Sequence, residues 1–200
     1  MTVDWYGIVQ GETRAVGSMT SPWGGCTVTA CRAGIISIDW AAESELSPIP
    51  DAKSTYDDTD RPSEPYATAM TDSESTIRTV QLVEDALEQL EQYFAGIRHT
   101  FTLPLVLRGT EFQKAVWEYL LTIPYGETRS YGDVARAIGR EKAVRAVGQA
   151  NRANPVPIVV PCHRVIGQTG ALTGYAGSQV HLKAALLNLE QEHRLVQSGA

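Results

Sequence analysis

Cysteine is scarce in this 200-residue sequence, which contains only Cys26, Cys31 and Cys162. Three thiols cannot form a complete disulfide framework, and at least one stays free, as is typical of a reducing compartment. The sequence also has no apolar run near the roughly 20 residues that a membrane-spanning helix needs. Its start, MTVDWYGIVQ, has no basic segment before an apolar stretch. We therefore expect a cytoplasmic protein with no secretory signal and no membrane contact.

The charge of the chain is distributed unevenly. Residues 1–107 contain 6 Lys and Arg against 16 Asp and Glu, net −10, although the whole chain is only −6. Residues 108–170 contain 9 against 5, net +4. A local excess of cations is what contact with phosphate groups requires. The middle of the chain therefore either binds a nucleic acid or has a solvated basic surface, and the counts alone leave both open.

The N-terminal half predicts a small antiparallel sheet covered by a helix. The stretch CTVTACRAGIISIDW alternates β-branched and small residues and is interrupted at Ala33-Gly34, which indicates a hairpin. Residues 43–75 contain four prolines among acidic, Ser and Thr residues and lack periodicity, which predicts a long mobile loop. Apolar residues then recur at three- and four-residue steps from Ile77 to Ile97, the pattern of an amphipathic helix.

The C-terminal half predicts several short helices. Thr110 and Gln113 form a capping-box pattern at the start of a helix that ends before Pro124. The segments YGDVARAI (131–138) and EKAVRAVGQAN (141–151) predict two further helices joined by a glycine turn. This is the pattern of a helix-turn-helix. Such helices either contact DNA or pack only against their own protein, and the pattern does not distinguish the two.

The stretch NPVPIVVPCHRV, from Asn154 to Val165, contains a candidate nucleophile. Its prolines fix the backbone and remove amide donors, which predicts a rigid, non-helical approach to Cys162. A thiolate attacks far better than a thiol, and here His163 offers a base and Arg164 a positive charge. Because adjacent side chains seldom face each other, the imidazole would act either through a water or on a turned backbone, with a carboxylate from elsewhere in the chain fixing its tautomer. The alternative is a buried, inert cysteine.

The sequence resembles the O6-alkylguanine-DNA alkyltransferases, also called methylated-DNA–protein-cysteine methyltransferases. The resemblance is dense over residues 101–192, from FQKAVWEYLLTIPYGETRSYGDVARAIG through KAVRAVGQANRANPVPIVVPCHRV to KAALLNLE, and it covers the N-terminal half in outline. It implies an α+β fold with two domains. Residues 1–100 would form an RNase H-like domain with a small antiparallel sheet, a covering helix and the loop 43–75. Residues 101–195 would form a mostly helical, winged-helix-like domain that contains the helix-turn-helix.

The resemblance implies DNA repair by stoichiometric transfer of an alkyl group from O6-alkylguanine to Cys162, after the base has rotated out of the duplex. O4-alkylthymine is a second substrate that the resemblance leaves open. His163 would deprotonate the thiol through a water, and Glu190 would orient His163. Tyr131 would help to rotate the nucleotide and protonate the leaving guanine. Asn154 would tie the helix-turn-helix to the thiol segment.

The resemblance also implies two sets of binding residues. Arg145 would enter the duplex in place of the extruded base, and the other DNA contacts would come from Tyr131, Ser130, Gly132 and Arg152. The alkylguanine pocket would be formed by Pro157, Val165, Tyr175, Ala176 and Gly177. The expected partner is double-stranded DNA, bound through its minor groove without sequence preference by a monomer. No cofactor and no metal ion are expected.

Two other functions would use the same residues. A cysteine hydrolase would also need Cys162, His163 and Glu190, but it would turn over many substrate molecules and leave the helix-turn-helix unused. A DNA-binding sensor of alkylated bases would act without turnover, and the presence of Cys162 argues against it. The segment GSQVHLK is one residue longer than the commonest spacing, so Glu190 is assigned from its KxxLLxxE context, with Glu192 as the alternative.

Overall fold

An antiparallel sheet forms the N-terminal part of the protein. The computed structural model describes residues 8–9, 12–41, 72–172 and 180–197. The sheet has the strand order β1-β2-β3-β4, with β1 at Ile8–Val9, β2 at Glu12–Ser21, β3 at Gly24–Cys31 and β4 at Gly34–Ala41. The predicted hairpin is present, but its turn lies at residues 32–33, one residue before the predicted Ala33-Gly34, because Gly34 already belongs to β4. Residues 43–71 of the predicted loop lie outside the described residues.

A single long helix, α1 at Asp72–Phe94, covers this sheet. The prediction that the loop extends to residue 75 is wrong, because residues 72–75 already form the first turn of α1. This turn consists of polar residues, so it has no apolar periodicity to reveal it.

The core of the N-terminal part lies between α1 and the sheet. Residues of β3 and β4 that are at most 2% exposed face the helix, among them Cys26, Val28, Ala30 and Ile38. The helix contributes a stripe with helical spacing whose members are completely buried, namely Val83, Ala86, Leu87, Leu90 and Tyr93. The stripe ends with a tyrosine, which places a polar hydroxyl group at the C-terminal end of the buried face.

The C-terminal part consists mainly of helices. They are α2 at Glu111–Leu120, α3 at Tyr131–Ala137, α4 at Val144–Arg152 and α5 at Val180–Gln197. The predicted capping box of α2 is confirmed, since Thr110 accepts a hydrogen bond from the Gln113 backbone and the Gln113 side chain accepts one in return. No described helix is both long and apolar enough to cross a membrane.

The helix-turn-helix is formed by α3 and α4, as predicted. Gly139 follows α3 with a φ of +69°, a conformation that glycine adopts without strain. One detail of the prediction is wrong: Glu141–Ala143 form a 3-10 turn and the α-helix begins at Val144. Trp117 of α2 is buried against α4 and donates a hydrogen bond to the Ala150 carbonyl at 2.8 Å. The second helix of the motif is therefore fixed to α2.

Two connections place the thiol segment between the two parts. At the edge of the sheet, the Ile38 amide of β4 donates to the Pro155 carbonyl at 2.9 Å, so the segment covers an otherwise open strand edge. In the C-terminal part, β5 at Arg129–Ser130 pairs in parallel with β6 at Val165–Ile166. This pairing brings the start of α3 beside the residues that follow Cys162.

Candidate active site

Cys162 lies in a short 3-10 helix, Cys162–Arg164, at the end of the proline-rich segment. Its side chain is 3% exposed. The segment before it is non-helical, as predicted, and contains one strained residue: Ile158 is completely buried with a φ of +74°. A β-branched residue in this conformation costs on the order of 1–3 kcal/mol and persists only where its surroundings hold it. The thiol is thus presented by a backbone with little freedom.

Two asparagines fix this segment. Asn154 accepts a hydrogen bond from the Val156 amide at 3.1 Å and donates one to the Val160 carbonyl at 2.8 Å, which closes a loop around the strained residue. The direct connection from α4 comes from Asn151, which the sequence analysis missed. Its side-chain amide donates to the Cys162 carbonyl at 3.2 Å. The tie between the helix-turn-helix and the thiol turn is therefore divided between both residues.

His163 and Glu190 form a buried pair. The imidazole Nε2 lies 2.9 Å from Glu190 Oε1, and both side chains are completely buried. Since a carboxylate accepts only, Nε2 carries the proton, and the neutral ring has its lone pair on Nδ1. Nδ1 is buried and has no hydrogen-bond partner among the described residues. The structure thus places Glu190 at His163, whereas Glu192 is exposed.

Glu190 accepts hydrogen bonds from three further groups. Arg164 donates through Nε and Nη2 at 2.8 to 3.1 Å, and its Nη1 donates to the Ile123 carbonyl at 2.6 Å. The Tyr93 hydroxyl donates to Oε1 at 2.7 Å, and the Gly126 amide donates to Oε2 at 2.8 Å. Both carboxylate oxygens are therefore saturated by donors, and the charge of Arg164 balances that of Glu190.

This environment sets the charge states of the pair. Burial alone would raise the pKa of Glu190, but the hydrogen bonds from His163 and Arg164 and their charges lower it well below its ordinary value of 4.5. Burial lowers the pKa of His163 below 6.5 and outweighs the opposite effect of Glu190, while Arg164 and Lys183 lower it further. The pair is consequently a carboxylate beside a neutral imidazole at neutral pH, which is the form that can accept a proton.

A second polar pair, Tyr131 and Lys183, lies on the other side of the thiol turn. Tyr131 is the first residue of α3, and the Lys183 Nζ is 3.4 Å from its hydroxyl and 5.6 Å from the centre of its ring. The ammonium group also donates to the Val165 carbonyl. Burial lowers the pKa of Lys183 to about 8, against an opposing effect of Cys162. Lys183 therefore acts electrostatically on both the thiol and the tyrosine.

The residues predicted to bind DNA lie on or next to α3 and α4. Arg145 and Arg152 are exposed and occur seven residues apart on α4, which places them on one face about 10 Å apart along the axis. Neither guanidinium has a hydrogen bond to the described residues. Ser130 caps α3, and its hydroxyl is bonded to Asp133 at 2.8 Å, while Gly132 is half-buried. The two arginines are therefore more available to a ligand than Ser130.

The structure describes two of the five predicted pocket residues. Pro157 is half-buried, whereas the Val165 side chain is completely buried in the core. Only the backbone of Val165 can contribute to a pocket, and its carbonyl already accepts the hydrogen bond from Lys183. Tyr175, Ala176 and Gly177 lie outside the described residues.

The other two cysteines belong to the core of the sheet. Cys26 and Cys31 are buried and form no disulfide. Burial and the nearby charge of Asp39 raise the pKa of Cys26 to about 12, so this residue stays a thiol at neutral pH. No group of three or more His, Cys, Asp or Glu side chains suited to a metal ion occurs in the described parts of the chain.

The sequence analysis missed four members of the site, and three of them had a signal. Lys183 is two helical turns before Glu190, on the same face of α5, so a buried Glu190 implies a buried Lys183. Asn151 continues the buried stripe of Val147 and Ala150 on α4. Tyr93 ends the apolar stripe of α1. The fourth member, Gly126, is marked in the sequence only by the turn pattern PYGE, which does not indicate a contact with Glu190.

Fold and site together define a class of two-part proteins, in which a sheet with a covering helix is joined to a helix-turn-helix that supports a buried Cys, His and Glu. Residues 16–107 match the family model described as 6-O-methylguanine DNA methyltransferase, ribonuclease-like domain. Residues 111–192 match the model described as 6-O-methylguanine DNA methyltransferase, DNA binding domain. The chain belongs to the 6-O-methylguanine DNA methyltransferase family, and the predicted resemblance and fold class are confirmed.

Similar proteins carry the corresponding names. The constitutive methylated-DNA–protein-cysteine methyltransferase of Bacillus subtilis is 63% identical over 107 residues, which are 54% of this chain and 65% of that protein, slightly under two thirds of its length. The methylated-DNA–protein-cysteine methyltransferase of Methanosarcina acetivorans is 54% identical over 58% of this chain and 74% of its own length.

Solved structures from Mycobacterium tuberculosis resemble the whole fold. The structure of its O6-methylguanine methyltransferase has a TM-score of 0.65 and 39% identity, and the match covers 88% of this chain and 92% of that one. The structure of the same organism's OGT in complex with DNA has a TM-score of 0.66 and 40% identity over 88% and 92% of the two chains.

Proposed function

We propose that this protein repairs double-stranded DNA by transferring the alkyl group of an O6-alkylguanine to Cys162, once per molecule. Membership of the family and the names of the relatives support the reaction. The observation that carries the assignment of residues is the buried pair of His163 and Glu190. It fixes the proton on Nε2 and leaves Nδ1 available as an acceptor, directly after Cys162 in the chain.

The reaction begins with the loss of the thiol proton. The proton passes from Cys162 through a bridging water to Nδ1 of His163, and Glu190 stabilises the imidazolium that forms. The thiolate attacks the alkyl carbon, so that a sulfur–carbon bond forms as the carbon–O6 bond breaks. The electron pair of the broken bond stays on the guanine. The product thioether has no simple route back to a thiol, which makes the reaction stoichiometric.

The leaving guanine needs a proton, and Tyr131 supplies it. Its hydroxyl is within 3.4 Å of the Lys183 ammonium, whose positive charge stabilises the tyrosinate that remains. Lys183 also favours the thiolate form of Cys162. Tyr131 and Lys183 therefore act on the departing side of the reaction, whereas His163 and Glu190 act on the attacking side.

The base reaches the thiol by leaving the duplex, which costs a few kcal/mol of stacking and pairing. In our proposal, Arg145 fills the gap and Arg152, on the same exposed face of α4, contacts the backbone. Small residues beside Arg145, namely Ala143, Ala146 and Gly148, allow α4 to approach the minor groove closely. Readout of the minor groove is nearly independent of sequence, which suits a repair protein. We propose that the protein acts as a monomer.

We further propose that the protein acts in the cytoplasm. That none of its three cysteines forms a disulfide supports a reducing compartment. In the proposed mechanism, Asn154 keeps the thiol segment in place through its hydrogen bonds to Val156 and Val160.

The experiment that tests the proposal is intact mass spectrometry after incubation with a duplex that contains O6-methylguanine. We expect a gain of about 14 Da, corresponding to one methyl group on the peptide that contains Cys162. The variant Cys162→Ala is expected to bind the duplex without gaining mass. The variant Cys26→Ala is the matched control, since it removes a thiol that has no role in transfer. Continued turnover of substrate without a change in protein mass would instead identify a hydrolase.

A further inference from the structure

The N-terminal part of the protein contributes one hydrogen-bond donor to the buried pair of the active site. Tyr93, near the C-terminal end of α1, is completely buried. Its hydroxyl donates to Glu190 Oε1 at 2.7 Å and lies 3.4 Å from His163 Nε2. Oε1 is the same oxygen that receives the proton of Nε2. The hydroxyl and the imidazole therefore share one acceptor atom, although 97 residues separate Tyr93 from Glu190 in the sequence.

We propose that Tyr93 is a positioning residue for the base, and that the N-terminal part controls alkyl transfer through the hydrogen bond from its hydroxyl to Glu190. The inference rests on the function proposed above. It assigns a role in the reaction to a domain that contributes neither the nucleophile nor the DNA-binding helices.

The physical argument concerns the charge on Oε1. Each donor that binds a carboxylate oxygen takes up part of its negative charge, and less remains to stabilise an imidazolium. The charged or titratable groups that act on His163 are Glu190 and Lys183 from α5, Arg164 from its own turn, and Tyr93 from α1. Glu190 alone favours the protonated ring. The Tyr93 hydroxyl reduces that effect and so helps to keep the imidazole neutral.

A hydroxyl in the same aromatic cluster provides a matched control. The ring of Tyr125 contacts the ring of Tyr93 edge to face, with 6.0 Å between their centres. The Tyr125 hydroxyl is also buried, but it has no hydrogen-bond partner among the described residues. Tyr125→Phe removes one hydroxyl oxygen from the cluster, as Tyr93→Phe does, but it removes no hydrogen bond to Glu190. Tyr125→Phe therefore reproduces the packing effect of Tyr93→Phe and not its electrostatic effect.

The test is the single-turnover rate of alkyl transfer as a function of pH for the unaltered protein, Tyr93→Phe and Tyr125→Phe. In Tyr93→Phe we expect the acid midpoint of the rate to move up by about one pH unit, so that below the midpoint transfer is about tenfold slower. The midpoint of Tyr125→Phe is expected to match that of the unaltered protein. NMR titration of the His163 imidazole is expected to give the same displacement.

The outcomes separate this inference from the proposed function. If the unaltered protein transfers no alkyl group, the proposed function fails. If it transfers one but both variants have the same acid midpoint, only the role of Tyr93 is refuted. A Tyr93→Phe protein that melts earlier with an unchanged midpoint would also refute it, because Tyr93 would then be purely structural.

A second measurement covers the case in which Tyr93→Phe does not fold. In the unaltered protein, a hydroxyl proton held between Tyr93 and Glu190 is expected to exchange slowly with solvent and to be observed by NMR, close to the His163 ring. Rapid exchange of this proton would refute the hydrogen bond on which the inference depends.

Discussion

Glu190→Gln is the substitution that tests the site most directly, because it removes a charge while almost preserving the shape of the side chain. The Glu190 carboxylate is the acceptor in each of its described hydrogen bonds. His163, Arg164 and Tyr93 donate to Oε1, and Arg164 and the Gly126 amide donate to Oε2. A glutamine has one oxygen and one NH2 group. Whichever way the amide is oriented, its NH2 group faces at least one N–H or O–H donor.

The expected cost in stability follows from the burial of the pair. Glu190 is completely buried and the Arg164 side chain is 7% exposed, so the substitution leaves a buried cation without its counter-ion. Breaking such a pair costs about 3–5 kcal/mol, against a total stability of about 5–15 kcal/mol for a typical domain. We expect Glu190→Gln to fold at low temperature and to unfold at distinctly lower denaturant concentration than the unaltered protein.

The expected effect on the reaction is separate from this loss. Without the carboxylate, the imidazolium that forms on proton transfer has no neighbouring negative charge, and the contribution of the base falls towards zero. General bases contribute about 10²- to 10⁴-fold, so we expect single-turnover transfer at saturating DNA to slow by at least about 10²-fold. DNA affinity is expected to change little, because Glu190 is far from solvent.

Glu192→Gln is the control, since Glu192 lies on the same helix but is exposed. It changes the net charge of the protein by the same amount and removes none of the described hydrogen bonds. If Glu190→Gln and Glu192→Gln have the same transfer rate and the same unfolding midpoint, the buried pair neither orients the base nor stabilises the fold. The proposed mechanism would then be refuted.

Two further predictions concern DNA and pH. Arg145→Ala is expected to slow transfer from duplex DNA by about tenfold or more, but to leave transfer from the free base O6-benzylguanine unchanged, because only the duplex has to be unstacked. Arg152→Ala is the comparison variant on the same helix. If Arg145→Ala slowed transfer from both substrates equally, Arg145 would support the fold instead. The second prediction concerns the dependence of stability on pH. His163 has the ordinary pKa of 6.5 in the unfolded state and a lower pKa in the folded state. The unfolded state therefore binds more protons below about pH 6.5, and stability is expected to fall as the pH decreases from there. Denaturant unfolding between about pH 7 and pH 5 measures this, and a flat response would contradict the lowered pKa of His163.

The features that the sequence predicted well are those with local causes. Thr110 and Gln113 are three residues apart, and a capping box needs nothing beyond that spacing. Gly139 ends α3 because its own backbone conformation permits the turn. The non-helical approach to Cys162 follows from prolines within the same segment. The predicted start of α1 was wrong because a polar first turn has no local pattern that distinguishes it from a loop.

The features that the sequence did not predict depend on contacts between distant segments. Glu190 could be assigned only from the resemblance, because nothing near residue 190 indicates that His163 lies beside it. Tyr93 looks like the last member of an apolar stripe, and its hydroxyl acquires a partner only when α1 packs against α5. The sequence indicated Asn154 alone as the tie to the thiol segment, and only the fold shows that Asn151 bonds to the Cys162 carbonyl.

The origin of the site in distant segments has a consequence for the proposed single-turnover reaction. The donors around Glu190 come from α1, from the turn at Gly126 and from the thiol turn, while Glu190 itself comes from α5. Buried polar groups of this kind cost free energy unless every partner is in place. The base is therefore assembled only when the sheet with its helix and the helical part are both folded and in contact. In the proposed reaction, a partly unfolded molecule retains the thiol but loses the base, so its alkyl transfer is expected to be about 10²- to 10⁴-fold slower than that of the folded protein.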